Sequence, residues 1–236
     1  MKLTFLGTSH GDPAPDRFCS AILLECGTAG YLFDCGAPVT SLLVRRGFDF
    51  SRLSHIFISH MHLDHWGDLL FLLKHKAKHQ QDIHCFLPEE QAEKAVHDLL
   101  CLAYPPAKNA PVFYNTVSEG VIFKDSNLEI RAVATKHFKR SFAYLICGEN
   151  KKILYTGDLK ADISDFPVHA AQEADLCISE LTHAACSCFE EKLQSLPLKQ
   201  MIFTHIGPRY EKEGVLTLPE LPFPVTAAYD GMEYSV

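Results

Sequence analysis

The stretch Ile58-Ser59-His60-Met61-His62-Leu63-Asp64-His65-Trp66-Gly67 places three imidazoles and one carboxylate within six consecutive positions. An apolar, β-branched segment precedes it and a segment rich in Leu and Lys follows it, as is typical where a strand passes into a helix. Alternate side chains of an extended chain lie on one side, so His60 and His62 can converge on one ion. As the chain turns into the helix, Asp64 and His65 can reach a second position. The stretch therefore predicts a metal site; the alternative is a polar turn with solvated histidines.

Three later apolar segments also end in a residue that can bind a metal ion. They are Thr135-Lys136-His137, Tyr155-Thr156-Gly157-Asp158 and Phe203-Thr204-His205. Strand patterns alternate with helix patterns in both halves of the chain, which favours an α/β layered domain. If the four segments are strands of one sheet that end at the same edge, their terminal residues meet. We therefore expect a single site that all four strand ends share.

Length and composition favour one globular domain, or two fused halves that share one core. The chain has 236 residues, of which 47% are hydrophobic, enough to bury a full core. The first residues show no signal-peptide pattern, and no apolar run is long enough to span a membrane. Nine scattered cysteines, an odd number, are typical of reduced thiols in a cytoplasmic protein. Only Cys186 and Cys188 are closely spaced, too little for a zinc knuckle.

The net charge of −7 argues against a general binder of polyanions. Basic residues are densest at Lys74 to His79 and at Lys136 to Arg140. On a helix, His75 and His79 lie four residues apart and could share a metal ion. Between lysines, however, such a pair more often belongs to a solvated face, and we favour that interpretation.

The ordered histidines and aspartates resemble the signature of the metallo-β-lactamase superfamily, which is His-x-His-x-Asp-His followed by a distant His, Asp and His. Here these residues are His60, His62, Asp64, His65, His137, Asp158 and His205. The resemblance implies a four-layer αββα sandwich of two pseudo-symmetric halves, about 1–125 and 126–236, with the site at one edge of both sheets. It implies one metal on His60, His62 and His137, a second on Asp64, His65 and His205, and Asp158 bridging both. Zinc is the expected metal, with manganese or iron as alternatives.

Within the superfamily, the chain is similar to ribonuclease Z, which processes the 3′ end of tRNA. The similar parts are Leu6-Gly7-Thr8-Ser9 with Gly11, Pro13 and Arg17, then Phe33-Asp34-Cys35-Gly36 and His205-Ile206-Gly207-Pro208-Arg209-Tyr210. Two features depart from that branch. Ser179 stands where ribonuclease Z has a histidine before Glu180. Moreover, the interval from His137 to Asp158 has room for one hairpin, and not for the long arm with which bacterial ribonuclease Z grips tRNA.

A second similar branch is the small phosphodiesterases, including the one that opens cyclic phosphates in phosphonate degradation. Its relatives have a histidine at the position of His183, and the tail from Tyr229 to Glu233 resembles both branches. However, Pro208 stands where that enzyme has an active-site histidine. Cys19 and Cys26 also do not reproduce its extra zinc cluster. The substrate therefore cannot be copied from this branch.

These resemblances predict a metal-dependent phosphodiesterase that acts on a small or nucleotide-like phosphodiester. Asp64 is expected to accept a hydrogen bond from the nucleophile, and His183 to give a proton to the leaving group. Arg209 is a candidate phosphate clamp or, alternatively, one half of a surface ion pair.

Three acidic residues have two open roles each. Asp34, Glu180 and Asp230 can orient ligand histidines through hydrogen bonds, or they can cap and pair locally. For the whole chain, the rival functions are hydrolysis of a lactone, thioester or β-lactam, and catalytically silent binding of a ligand or RNA. Besides a small phosphodiester, nucleic acid is a second candidate partner, although the tRNA-gripping arm is absent. A homodimer is compatible with the sequence, and we expect no association with a membrane.

Overall fold

The computed structural model describes residues 1–12, 14–212 and 215–236, and within them two seven-stranded sheets form the centre of the molecule. In chain order, the first sheet contains β1 (Lys2–Gly7), β2 (Ala21–Cys26), β3 (Ala29–Phe33), β4 (Leu53–Phe57), β5 (Ile83–Leu87), β6 (Val112–Thr116) and the last strand of the chain, β16 (Glu233–Ser235). Their spatial order is β16-β1-β2-β3-β4-β5-β6. Neighbouring strands are antiparallel from β16 to β3 and parallel from β3 to β6.

The second sheet contains β7 (Gly120–Lys124), β8 (Glu129–Thr135), β9 (Ser141–Gly148), β10 (Lys151–Tyr155), β11 (Leu176–Leu181), β12 (Met201–Ile206) and β15 (Val225–Ala227). Their spatial order is β15-β12-β11-β10-β9-β8-β7. A separate two-stranded ribbon, β13 (Glu211–Lys212) with β14 (Val215–Leu216), was not predicted from the sequence. The chain thus passes from the first sheet to the second between Thr116 and Gly120, and β16 returns to the first.

The two sheets face each other across an apolar core because alternate residues of each strand point inward. Phe33 and Phe57 of the first sheet pack with Tyr144 and Ile153 of the second. Neighbouring residues of the same strands, such as Leu32, point to the opposite face and into a second core. This alternation gives each sheet two apolar faces, and both have to be covered.

Helices cover the outer faces, which confirms the four-layer αββα sandwich. The helices are α1 (Val39–Arg45), α2 (Leu63–Trp66), α3 (Leu69–Lys78), α4 (Glu90–Ala103), α5 (Val168–Glu173) and α6 (Cys186–Leu193). Helices α1, α3 and α4 pack on the first sheet, and α5 and α6 on the second. In α4 the buried residues Ala92, Val96 and Leu100 are spaced by four, as a helix with one apolar face requires. None of the described helices is long and apolar enough to cross a membrane.

Two polar side chains, the buried Lys76 and the partly buried His55, lie away from the strand ends. Lys76 of α3 is 1% exposed, and its ammonium donates hydrogen bonds to the backbone oxygens of Phe50 (2.9 Å) and Leu53 (2.7 Å). His55 of β4 lies in a row of rings across the first sheet, with its centroid 5.1 Å from that of His84 and 5.9 Å from that of Tyr31. Burial, and after it the charge of His84, lower the pKa of His55 to about 4.

Two segments do not form the single elements that their sequence patterns favour. A helix pattern runs from Trp66 to Lys78, but the structure divides it between α2 and α3, where the Asp68 carboxylate accepts the backbone N–H of Thr40 at 2.5 Å. A strand pattern extends around Ala227 to Gly231, but β15 ends at Ala227, and Gly231 lies in a turn with a positive φ of 86°. Only a residue without a side chain adopts that conformation readily.

The predicted strand ends come from two sheets and not from the single sheet that strand patterns alone suggest, and they meet at one edge of both sheets, as the resemblance implied. β4 lies in the first sheet, whereas β8, β10 and β12 lie in the second. β8 and β10 both pair antiparallel with β9, and β10, β11 and β12 are parallel, so the ends of β8, β10 and β12 lie at one edge. The hairpin of β9 and β10 occupies the interval between His137 and Asp158, as predicted.

Candidate metal centre

Three imidazoles from both sheets converge at the shared edge. His60 and His62 follow β4, and His137 follows β8. His62 Nδ1 lies 3.0 Å from His60 Nε2 and 3.2 Å from His137 Nε2. The nearest oxygen of Asp158, Oδ2, lies 3.7 Å from His60 Nε2 and 3.6 Å from His137 Nε2. Ligands of a four-coordinate zinc ion with bonds of about 2.0–2.1 Å lie roughly 3.3 Å apart, so these four atoms have a suitable spacing.

A second group of donors lies beside the first and shares Asp158 with it. Asp64 Oδ2 lies 3.0 Å from His205 Nε2 and 3.3 Å from His65 Nε2. Asp158 contacts the same two rings, with Oδ1 3.4 Å from His65 Nε2 and Oδ2 3.5 Å from His205 Nε2. Because the Asp158 carboxylate faces both groups, it stands where one carboxylate could bind two ions at once.

Two buried atoms of the centre have no hydrogen-bond partner in the part of the chain that the structure describes. They are His65 Nε2 and Asp158 Oδ1, from residues that are 0% and 3% exposed. A buried polar atom without a partner is costly, and a buried carboxylate oxygen especially so. A divalent cation would satisfy both atoms, so the donors present fit such an ion. The His and Asp residues form a metal-binding cluster.

The lowered pKa values of His60, His62 and His137 are compatible with metal binding, since a metal ligand must be deprotonated. Burial lowers the pKa of His60 to about 2, and burial also lowers the pKa of His62 and of His137. The His65 ring behaves differently. Burial lowers its pKa, but the negative charges of Asp158 and Asp34 outweigh burial and raise that pKa well above the usual value.

Asp34 holds His65 in place from behind. Its Oδ2 accepts hydrogen bonds from His65 Nδ1 (2.8 Å), Ser59 Oγ (2.9 Å) and the Tyr155 hydroxyl (2.6 Å), and its Oδ1 accepts the Ser59 backbone N–H (2.7 Å). Asp34 is fully buried and has a left-handed φ of 57°, which aspartate tolerates. Of its two open roles, these contacts match the first, since Asp34 bonds a histidine that the sequence predicts as a ligand. The Ser59 and Tyr155 contacts carry no sequence signal that we recognised.

The other rings are fixed by different partners. His137 Nδ1 donates to the backbone oxygen of Leu159 at 3.1 Å, which leaves Nε2 as the lone-pair nitrogen of the neutral ring. His205 Nδ1 lies 3.0 Å from the hydroxyl of Thr182. Thr182 belongs to the motif in which Ser179 replaces the ribonuclease Z histidine, and its contact with His205 was not predicted.

His183 lies at the mouth of the centre. Its Nδ1 is 2.9 Å from Glu180 Oε1, and its side chain is 31% exposed. Burial lowers the pKa of His183, but the hydrogen bond and charge of Glu180 outweigh burial, so the net change in pKa is upward. Glu180 also accepts the backbone N–H groups of Thr182 (2.7 Å) and His183 (2.9 Å). It therefore orients His183 and not one of the seven predicted ligands.

Two predicted residues have other surroundings. The carboxylate of Asp230 accepts hydrogen bonds from Thr8 Oγ1 (2.7 Å) and from the backbone N–H of Phe18 (2.5 Å), so it holds a loop and contacts no ligand histidine. The alternative role, local pairing, is the one the structure shows. Arg209 is exposed, and its guanidinium lies 4.8 Å from the centre of the Tyr210 ring. Among the described residues it forms no ion pair and does not line the cleft.

A cleft of about 230 Å³ opens beside the donors. His10 lines this cleft and was not predicted as a site residue. The loop between Gly7 and Gly11 that carries it follows a strand, and loops in that position commonly carry functional groups. Pro13, part of the same predicted motif, lies outside the described residues. The lining residues are His10, Gly11, Asp12, His62, Asp64, Asp158, Thr182, His183 and His205.

Known proteins are similar to this chain in sequence and fold. Ribonuclease Z from Rippkaea orientalis is 27% identical over 289 aligned positions, which cover 94% of this chain and 90% of that protein. The crystal structure of human tRNase Z, short form, superposes with a TM-score of 0.78 at 25% identity and covers 100% of this chain and 99% of its own. A diphosphatase from the PhnP family superposes with a TM-score of 0.73 at 17% identity over 99% of this chain and 96% of its own, which shows the shared fold.

The family match spans the whole centre. Residues 1–212 match the family described as anti-Pycsar protein Apyc1, and this range contains every donor of both metal groups. The expected resemblance to the ribonuclease Z and small phosphodiesterase branches is confirmed by the relatives and by the fold. The chain belongs to the anti-Pycsar protein Apyc1 family and is a metal-dependent hydrolase of the metallo-β-lactamase superfamily, near ribonuclease Z.

Proposed function

We propose that this chain is a dinuclear phosphodiesterase that hydrolyses a small or nucleotide-like phosphodiester. The observation that carries the proposal is the pair of donor groups that share Asp158 beside an open cleft. Two adjacent metal positions suit an in-line displacement at phosphorus, since they can contact both the attacking and the departing oxygen. The names of the relatives, ribonuclease Z and diphosphatase, also favour phosphorus as the reacting centre.

In this proposal, His60, His62 and His137 bind one ion, and Asp64, His65 and His205 bind the second, with Asp158 between them. Zinc is the first choice, and manganese or iron would suit the same donors. When bound, the ions polarise the phosphoryl oxygens and lower the pKa of water.

Asp64 receives a second role from its position. Its Oδ2 lies against His65 and His205, while Oδ1 has no hydrogen bond within the described residues. Oδ1 can therefore accept a hydrogen bond from the attacking water. This bond would orient the lone pair of the water towards phosphorus.

His183 is proposed as the proton donor to the leaving group. Glu180 holds Nδ1 at 2.9 Å, so the other ring nitrogen can face the cleft that His183 lines. Because Glu180 raises the pKa of His183, the ring can hold a proton near neutral pH. Phosphate binding by Arg209 stays a prediction that the position of its side chain does not support.

The size of the substrate follows from the short interval between His137 and Asp158. A hairpin fills this interval, so no long arm is available there to grip tRNA. We therefore favour a small substrate over a folded nucleic acid. A cytoplasmic location, which the nine free cysteines favour, and a homodimer belong to the same proposal.

The experiment that tests this function measures bound metal first and activity second. The purified protein is assayed against bis-p-nitrophenyl phosphate, cyclic nucleotides, precursor tRNA, a lactone and a thioester. We expect about two metal ions per chain and turnover of the phosphodiesters. Absence of metal, or turnover of carbonyl esters with no cleavage of any phosphodiester, would refute the proposal.

A further inference from the structure

The loop after β1 is fixed against the strand that carries His205. The backbone N–H of Ile206 donates to the oxygen of Thr8 at 2.8 Å, and Ser9 forms a β-bridge with Ile206. His10 follows directly, with only 9% of its surface exposed. Its backbone is therefore positioned by the same strand end that positions a proposed metal ligand.

The tautomer of His10 follows from one hydrogen bond. The backbone N–H of Asp12 donates to His10 Nδ1 at 3.1 Å, so Nδ1 is an acceptor. In a neutral imidazole the proton then resides on Nε2, which becomes a donor. Among the described residues, which exclude residue 13, no partner accepts from Nε2.

His10 also stands at the boundary of two cavities. It lines the 230 Å³ cleft beside the metal-binding cluster and an adjoining cavity of about 290 Å³. The second cavity has apolar walls from Pro15, Ile206 and Pro208. Its charged lining residues are Asp16 and the ion pair of Arg17 with Glu211. On the other side, Gly11 lies against Asp64, whose Cγ is 3.5 Å from the place a Cβ would occupy. A phosphoryl group in the cleft would therefore lie next to His10, with its organic substituent directed to the adjoining cavity.

We propose that His10 binds the substrate: its Nε2–H donates a hydrogen bond to a non-bridging phosphoryl oxygen. The inference rests on the proposed phosphodiesterase function and assigns a residue that the metal ligands and His183 do not include. The competing explanation is that His10 only shapes its own loop through Nδ1.

Two amide substitutions separate these explanations because each reproduces one ring nitrogen. His10→Asn keeps an acceptor near the position of Nδ1 but has no group at Nε2. His10→Gln reaches the position of Nε2 with an N–H group but gives up the Nδ1 acceptor. The test measures cleavage of bis-p-nitrophenyl phosphate, binding of inorganic phosphate by calorimetry to the metal-loaded proteins, and metal content.

A hydrogen bond to a charged oxygen predicts that His10→Asn loses about 10- to 100-fold in kcat/KM and in phosphate affinity. His10→Gln should recover most of that loss, and metal content should be the same in all three proteins. Three results would overturn the assignment. In the first, kcat/KM and phosphate affinity fall in His10→Gln but not in His10→Asn; in the second, they fall equally in both variants; in the third, either variant loses metal.

The same measurements distinguish the assignment from the proposed function. If the wild-type protein binds phosphate but cleaves no phosphodiester, the proposed function fails, and His10 is judged by the calorimetry of the two variants. If the wild-type protein cleaves phosphodiesters and both variants bind phosphate as it does, only the role of His10 fails. If the wild-type protein binds no phosphate, the role of His10 fails whatever the protein hydrolyses.

Discussion

Replacement of Asp34 by asparagine should both destabilise the chain and weaken its metal binding. The carboxylate accepts four hydrogen bonds, from His65 Nδ1, Ser59 Oγ, Ser59 N and the Tyr155 hydroxyl. An amide cannot accept at both ends. In one orientation its NH₂ group faces the Ser59 backbone N–H, and in the other it faces the His65 ring.

The magnitude follows from these contacts. In either orientation at least one N–H group loses a charged acceptor, which costs about 1.5–3 kcal/mol, and the remaining bonds lose the contribution of the charge. We therefore expect Asp34→Asn to lower the free energy of unfolding by about 3 kcal/mol. Because His65 is held only by an uncharged acceptor or by none, metal affinity should fall by about 10- to 100-fold. The left-handed φ of 57° is not a confounding factor, since asparagine adopts it readily.

Two assays check this prediction. Urea unfolding in the presence of a chelator gives the stability of the metal-free chain, and competition with a zinc indicator gives the affinity. The control is Tyr155→Phe, which removes one hydrogen-bond donor to Asp34 and leaves its carboxylate intact. This substitution should lower the free energy of unfolding by about 1 kcal/mol and keep metal affinity close to that of the wild type. Equal metal affinity in Asp34→Asn and the wild type would show that Asp34 does not hold His65.

Three further predictions concern single side chains. Lys76→Met should lower the free energy of unfolding by about 2 kcal/mol, because two buried backbone oxygens lose a charged donor, whereas the exposed Lys74→Met should have little effect in the same urea titration. The folded chain holds the pKa of His55 at about 4, against about 6.5 when unfolded, so the unfolded state binds the proton first and stability falls as the pH drops from 6.5 towards 4. The free energy of unfolding is measured at pH 7 and at pH 5 in the presence of a chelator. Its loss between these two pH values should be about 2 kcal/mol smaller for His55→Phe than for the wild type. An equal loss in both proteins would contradict the lowered pKa of His55. His183→Ala should keep both metal ions and slow phosphodiester cleavage by about 10²- to 10⁴-fold, as metal analysis and kinetics can check; loss of metal would mean that His183 is not a proton donor.

Much of the architecture was predictable because it depends on local sequence patterns. The apolar runs that became β4, β8, β10 and β12 each end near a residue that can bind metal, and those ends do meet. The order of the strands was not accessible from periodicity. A strand pattern does not record its neighbours, so the patterns alone do not show that the ends come from two sheets; only the resemblance to the superfamily implied this.

The surroundings of individual side chains were the least predictable part. Arg209 was chosen because guanidinium groups suit phosphate, yet its position depends on packing against Tyr210. His10 was passed over because a single histidine in a loop carries no spacing signal. Its place in the cleft comes from the bridge between Ser9 and Ile206, a contact between residues 197 positions apart in the sequence.

Each donor group combines residues from both sheets, and this couples metal supply to folding. His60 and His62 follow β4, whereas His137 and Asp158 follow strands of the other sheet. Metal binding and the docking of the two sheets are therefore linked equilibria, and each strengthens the other by the same free energy. A chelator should loosen the core between the sheets well away from the cleft. In a cell short of the divalent metal, the amount of folded protein would follow the metal supply, so that scarcity would limit abundance as well as activity.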